Sequence, residues 1–117
     1  MDERLQQALD FANYRETLSN QLHKARVQAE GLLIFTENGG KFTIDYQLIS
    51  FIDYSVRSGY EDIVILDDNK LPTHIDDTTV FLDKITKRYF EVSNDYFKTY
   101  TTIKKSRSVK AILDIKD

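Results

Sequence analysis

The chain has no cysteine and no tryptophan, one proline, one methionine, two histidines and four glycines among 117 residues. Without cysteine there is no disulfide, no thiolate nucleophile and no cysteine-based metal site, as in an intracellular protein. Gly39-Gly40-Lys41 lacks both the P-loop spacing and the third glycine of a dinucleotide fingerprint. The longest apolar runs, Leu32–Phe35 and Ile63–Leu66, are far shorter than the roughly 20 residues a membrane helix needs. The polar, acidic start, Met1 to Gln7, does not read as a signal peptide. The sequence carries no G-x-S-x-G, H-E-x-x-H or kinase signature, so no enzyme activity and no cofactor are expected.

What the chain has in quantity is helix with rings on it. Between Thr78 and Lys105, Leu82, Ile85, Tyr89, Val92, Tyr96, Tyr100 and Ile103 recur at spacings of three and four. That is one face of an α-helix, and Phe81, Phe90 and Phe97 widen it. Such a stripe must be covered, each buried side chain stabilising by roughly 1.5–3 kcal/mol. A second long helix is expected from Arg4 to Ala29, free of Gly and Pro, with Gly31 as its stop. Its stripe begins at Leu5, Leu9 and Ala12 and continues through Phe11, Tyr14, Leu18, Leu22, Ala25 and Ala29.

Two hairpins separate these helices. Leu32–Thr36 reads as a buried strand, Asn38-Gly39 as a tight primed turn and Phe42–Ile44 as the return, with Gly40 a candidate bulge. Asp45 caps a helix over which Leu48, Ile49, Phe51, Ile52 and Val56 spread across more than half the circumference, as in a core helix, and Gly59 ends it. Ile63–Leu66 reads as a strand covered on both faces, followed by a turn at Asp67–Lys70. The return strand, Leu71–Ile75, is placed at a sheet edge by Pro72. Asp76 or Asp77 caps the third helix.

The expected architecture is a single α+β domain over residues 1–117, with 105–117 a short C-terminal tail, in the order α-ββ-α-ββ-α: both hairpins in one sheet, the second helix packed on it, and the two long helices pairing on the same side or projecting together. The hairpin-helix units match at an offset of 30, Leu33–Phe35 with Ile63–Ile65 and Phe51-Ile52-Asp53 with Phe81-Leu82-Asp83, which suggests a duplication. Ser106-Arg107-Ser108 is expected to break the last helix, leaving an apolar tail at 109–115 that packs on its own domain or on a neighbour.

The net charge of −3 is mild but uneven. Residues 61–77 carry six acids and one base, and residues 78–117 carry nine bases and five acids. Asp67, Asp68, Asn69, His74, Asp76 and Asp77 form the one cluster with metal-like chemistry. A turn and a helix cap explain these acids without a metal, and Leu71 stands where a calcium loop needs its third ligand. His23 has no ligand-spaced companion on its helix and reads as a surface histidine. Lys84, Lys87, Arg88, Lys98, Lys104, Lys105 and Arg107 give the third helix and its end a basic character, interrupted by Asp83, Glu91 and Asp95. If they gather on one surface they would contact nucleic-acid phosphates.

The stretches Phe11-Ala12-Asn13-Tyr14-Arg15, Phe35 to Phe42, Ile65 to Asn69 and Arg107-Ser108-Val109-Lys110 resemble small uncharacterised proteins of contractile-tailed marine phages of the cyanophage type. The resemblance spans most of the chain. It implies a phage origin, hence the cytoplasm of a host cell, and carries over no activity or functional residue. The sequence thus leads to a non-enzymatic, homo-oligomeric interaction or assembly protein. The alternative is a small nucleic-acid-binding or regulatory protein that uses the basic residues of the third helix.

Overall fold

A computed structural model describes the backbone of residues 2–116 and the side chains of residues 2–106. The order is α1 (Glu3–Leu32), β1 (Ile34–Glu37), β2 (Gly40–Thr43), α2 (Tyr46–Arg57), β3 (Ile63–Leu66), β4 (Pro72–Ile75) and α3 (Thr78–Lys116). This is the α+β class and order expected. Contacts divide the chain into two compact units, a helical one, Met1–Gln28 with Asp95–Asp117, and an α/β body, Ala29–Asn94.

The body has a small core to which both hairpins, α2 and α3 contribute. Phe42, Ile44, Ile52, Ile75, Phe81 and Ile85 are buried together, with Leu33, Phe35, Leu48, Ile49, Ile63 and Ile65 packed around them. The local signals act as the sequence indicates. Asn38 (φ 48°) and Gly39 (φ 81°) form the two-residue turn between Glu37 and Gly40. Asp45 Oδ1 accepts from the Leu48 N–H at 2.8 Å and Asp77 Oδ1 from the Val80 N–H at 3.1 Å, so each aspartate caps its helix. At the end of α2, Gly59 (φ 83°) lets the Tyr60 N–H reach Ser55 O (2.9 Å) while its own N–H reaches Val56 O (3.1 Å). That pair of bonds is a Schellman stop.

The hairpins do not merge into one sheet; β1-β2 and β3-β4 are separate two-stranded sheets. The reason is a reciprocal clasp. The second turn lies along β2, where Asp68 N–H donates to Lys41 O (2.8 Å) and Asp67 Oδ2 accepts from Lys41 N–H (3.1 Å). Asp68 also accepts from the Thr43 N–H (3.1 Å) and hydroxyl (2.6 Å). The first turn answers through Asn38 Nδ2, which donates to His74 O at 2.7 Å. Side chains thus occupy the edges along which β2 and β4 would have paired, and Pro72 could not have donated there.

Burial is thinner than the apolar pattern implies. Far from being covered on both faces, β3 exposes Val64 and Leu66, and β1 leaves Ile34 exposed. α2 buries Ile52 but leaves Phe51 half exposed and Tyr54 in water, so it is a surface helix rather than a central one. Gly40 hosts no bulge and pairs regularly with Glu37. Nor does Ser106-Arg107-Ser108 break α3, whose helical backbone runs to Lys116. The stretch has no Gly or Pro, and two serines cost a helix too little to end it. The side chains of the apolar tail 109–115, expected to pack on apolar surface, lie outside the described residues.

Gly31 is inside α1 and not its stop. The helix closes instead with a tightened last turn, Leu33 N–H to Glu30 O at 3.2 Å. A Cβ on Gly31 would meet nothing within 4 Å. Gly31→Ala is therefore expected to stabilise by about 0.5–1 kcal/mol through helix propensity. A urea denaturation midpoint above that of the parent chain is the measurement.

Candidate functional site

The basic residues of α3 have unequal fates. In the body, Lys84 Nζ lies 3.6 Å from Glu37 Oε1. Arg88 Nη1 donates to Leu32 O at 3.1 Å, and the guanidinium lies over the Phe35 ring at 5.8 Å. Arg88 therefore ties the end of α1 and β1 to α3 and is half-buried in doing so. Lys87 is exposed. In the helical unit, Lys98 and Lys105 are exposed, and Lys104 Nζ sits 5.7 Å above the Tyr100 ring. The side chain of Arg107 lies outside the described residues. Of the three α3 bases in the body, Arg88 helps hold the fold and Lys84 makes a half-exposed ion pair.

The acidic cluster does not converge either. Asp67 is buried, and its Oδ1 accepts from the N–H groups of Asn69 and Leu71, both at 2.9 Å, while Oδ2 takes Lys41. Asp68 is engaged with Thr43 and Asp77 with Val80. His74 lies between two carboxylates, with Nε2 against Asp62 and Nδ1 2.8 Å from Asp76 Oδ1. All three side chains are at least half exposed, where ion pairs contribute little. Among the described residues, no group of three or more His, Asp or Glu is placed to hold a metal ion.

Hydrogen bonding depresses the Asp67 carboxyl below the ordinary aspartate value. The Leu71 and Lys41 N–H groups contribute most, burial opposes them, and Asn69 adds to the lowering. Because the folded-state pKa is the lower one, the stabilisation is present above the unfolded value, about 3.9, and is lost as pH falls through the folded value. Urea midpoints measured downward from about pH 5 are expected to fall more steeply for the parent chain than for Asp67→Asn. Parallel declines would show that Asp67 carries no such linkage. Tyr89 is shifted the other way: a hydrogen bond with Tyr46, then burial, raise its hydroxyl above the usual tyrosine range, with Ser93 opposing.

In the helical unit, Arg15, Leu18, Leu22, His23 and Arg26 of α1 and Tyr96 of α3 line a shallow cleft of about 460 Å³. Arg26 Nη2 donates to His23 Nδ1 at 3.0 Å. Leu18 and Leu22 are half-buried and Ala25 is buried, whereas Leu5 and Leu9 are 52% and 42% exposed. At 3.6 residues per turn, Leu5 and Leu9 fall on the opposite side of α1 from Leu18 and Leu22. The apolar pattern of α1 is thus not one stripe with a slight rotation. It is two patches on two faces; the first is bare, and on the second Phe11, in line with Leu18 and Leu22, is 52% exposed. On α3, Phe97 is 68% exposed and Tyr100 40%. Sequence reasoning found these residues and assigned them to a covered stripe; their exposure is what it missed.

The chain matches no protein-family model, no curated protein and no solved structure. No helix among the described residues is long and apolar enough to cross a membrane.

Proposed function

We propose that the chain is a non-enzymatic assembly protein that works as a homo-oligomer, joined through the helices of its helical unit. The observation that carries this reading is the bare apolar surface on those helices, Leu5, Leu9 and Phe11 on α1 and Phe97 on α3. Large side chains repeated along two long helices stabilise an assembly when a second copy covers them. The resemblance to contractile-tailed phage proteins is consistent with an assembly role in an infected cell's cytoplasm. Nucleic-acid binding is the weaker reading, because Lys84 and Arg88 are engaged in intramolecular contacts.

Size-exclusion chromatography with light scattering is expected to give at least twice the 13.7 kDa chain mass at micromolar concentration. The paired substitution Leu9→Asp with Phe97→Asp should return it to the chain mass without loss of helical circular dichroism. A monomeric parent chain at about 100 µM, a dissociation constant too weak for an obligate assembly, would reject the proposal. A gel shift with generic DNA that weakens steeply as salt rises would instead favour the nucleic-acid reading.

A further inference from the structure

The four strands have four outward edges, and the fold treats them differently. In the second hairpin, Asp67 N–H donates to Leu71 O at 2.9 Å. Antiparallel alternation then turns the backbone groups of Ile63 and Ile65 toward β4 and those of Val64 and Leu66 away from it. In the first hairpin, Ile44 N–H to Leu33 O (2.8 Å) sets the same alternation, so Lys41 and Thr43 face outward on β2. Those two are taken by Asp67 and Asp68. On β4, Pro72 has no N–H to offer and His74 O accepts from Asn38. On β1, Ile34 and Thr36, and on β3, Val64 and Leu66, have no bond beyond their own hairpin among the described residues; β3 is the more apolar and more exposed of these two open edges.

β3 is also the edge with apolar residues on display. Val64 is 64% exposed, Leu66 60%, and Leu71 beside them 60%. Edge strands of this kind are templates for added strands unless they are guarded. Here the flanks are acidic: Glu61 and Asp62 precede β3, Asp67 and Asp68 follow it, and residues 61–69 contain no lysine or arginine. A second copy of β3 laid antiparallel, Val64 opposite Leu66, would bring Asp62 of one chain, beside His74, to the end where Asp68 of the other sits in the turn with its carboxylate accepting from Thr43. Like charges brought together across a strand pair are destabilising. The edge therefore rejects itself and selects bases at the same two positions.

We propose that the outer edge of β3 is a strand-addition site for an extended protein segment whose alternate apolar residues are flanked by lysine or arginine. Main-chain bonds to Val64 and Leu66 supply affinity, and the two charge pairs supply selectivity. This goes beyond self-association: it names a different partner and uses none of the α1 or α3 residues invoked there.

The probe is a fluorescein-labelled heptapeptide, Lys-Thr-Val-Thr-Val-Thr-Lys, whose lysines would fall opposite Asp68 and Asp62, titrated by anisotropy against the full chain at low salt. Saturable binding is expected, about tenfold weaker for the same peptide with Glu at both ends, because two cross-strand pairs change sign. Leu66→Pro removes an outward N–H without touching the ladder and should abolish binding. Leu66→Lys keeps the fold, repels the peptide and gives a second reading if the proline variant unfolds. Thr36→Pro on the outer edge of β1 should leave affinity unchanged. Equal binding of both peptides, no saturation by about 1 mM, or loss only with Thr36→Pro would overturn the proposal. So would a fall in oligomer mass with Leu66→Lys, since the edge would then be covered by a second copy.

Discussion

Phe81→Ala is expected to cost about 3–5 kcal/mol, a large part of the roughly 5–15 kcal/mol that holds a domain folded. The ring is 1% exposed and lies where the first turn of α3 meets both strands of the first hairpin. It packs edge-on against Phe35, with centroids 6.1 Å apart at 63°, and against Phe42 at 5.6 Å and 68°. Truncation removes the ring's burial, two aromatic pairs and the filling of a site in the centre of the core cluster. Phe90 is the same residue type on the same helix, but 58% exposed. Phe90→Ala is expected to cost less than about 1 kcal/mol in dilute solution. Urea denaturation of the two variants is the test, and equal losses would mean that Phe81 is not central to the core.

The sequence was most legible where the determining interaction is local. Asp45, Asp77, Gly59 and Asn38-Gly39 act within a few residues of themselves, through a cap, a stop or a positive φ, and each is found where its chemistry places it. The element order followed from these marks. The assembly of elements did not, because it depends on groups 25 to 38 positions apart, such as Asp68 with Thr43 and Asn38 with Asp76. Nothing in Asp67-Asp68 distinguishes a turn acid from one that also reaches across to another hairpin. The internal repeat shows the same limit. Strand positions match at an offset of 30 in β1 and β3, Phe35 with Ile65, but the buried helix positions match at 33, Ile52 with Ile85. A longer second turn moves the register, so Phe51-Ile52-Asp53 does not correspond to Phe81-Leu82-Asp83 in burial.

Apolar periodicity reveals which residues seek cover and not whether the chain supplies it. Val64 and Leu66 read as strand residues covered on both faces, and Phe97 as part of a buried stripe; the folded chain covers none of the three. That shortfall carries both functional proposals. The basic residues illustrate the converse. Arg88 was legible as a charge on α3, but its carbonyl partner at Leu32 and ring partner at Phe35 lie more than 50 residues away. Charge alone therefore could not separate a structural arginine from a phosphate contact.

Gly40→Ala is expected to destabilise by about 1–3 kcal/mol, although nothing about the Gly40 backbone forbids alanine. Its φ is not positive and it pairs regularly with Glu37, so relief of unfolded-state entropy alone would make alanine stabilising by about 0.4–1 kcal/mol. The obstacle is Thr73 on the other hairpin. A Cβ on Gly40 would lie 2.5 Å from Thr73 Oγ1, 2.7 Å from its Cγ2 and 3.1 Å from the Phe42 ring. Thr73 is buried and β-branched, and both branches face Gly40, so rotating it replaces one clash with another. The hairpins would have to separate, and with them the bonds of Asp67 and Asp68 to β2. Thr73→Ala removes both obstructing atoms, so the double variant should lose less than the sum of the singles, a coupling of about 1 kcal/mol or more. If Gly40→Ala denatures at the same urea concentration as the parent, or if the two substitutions are additive, the close approach of the two hairpins is not what keeps this position a glycine.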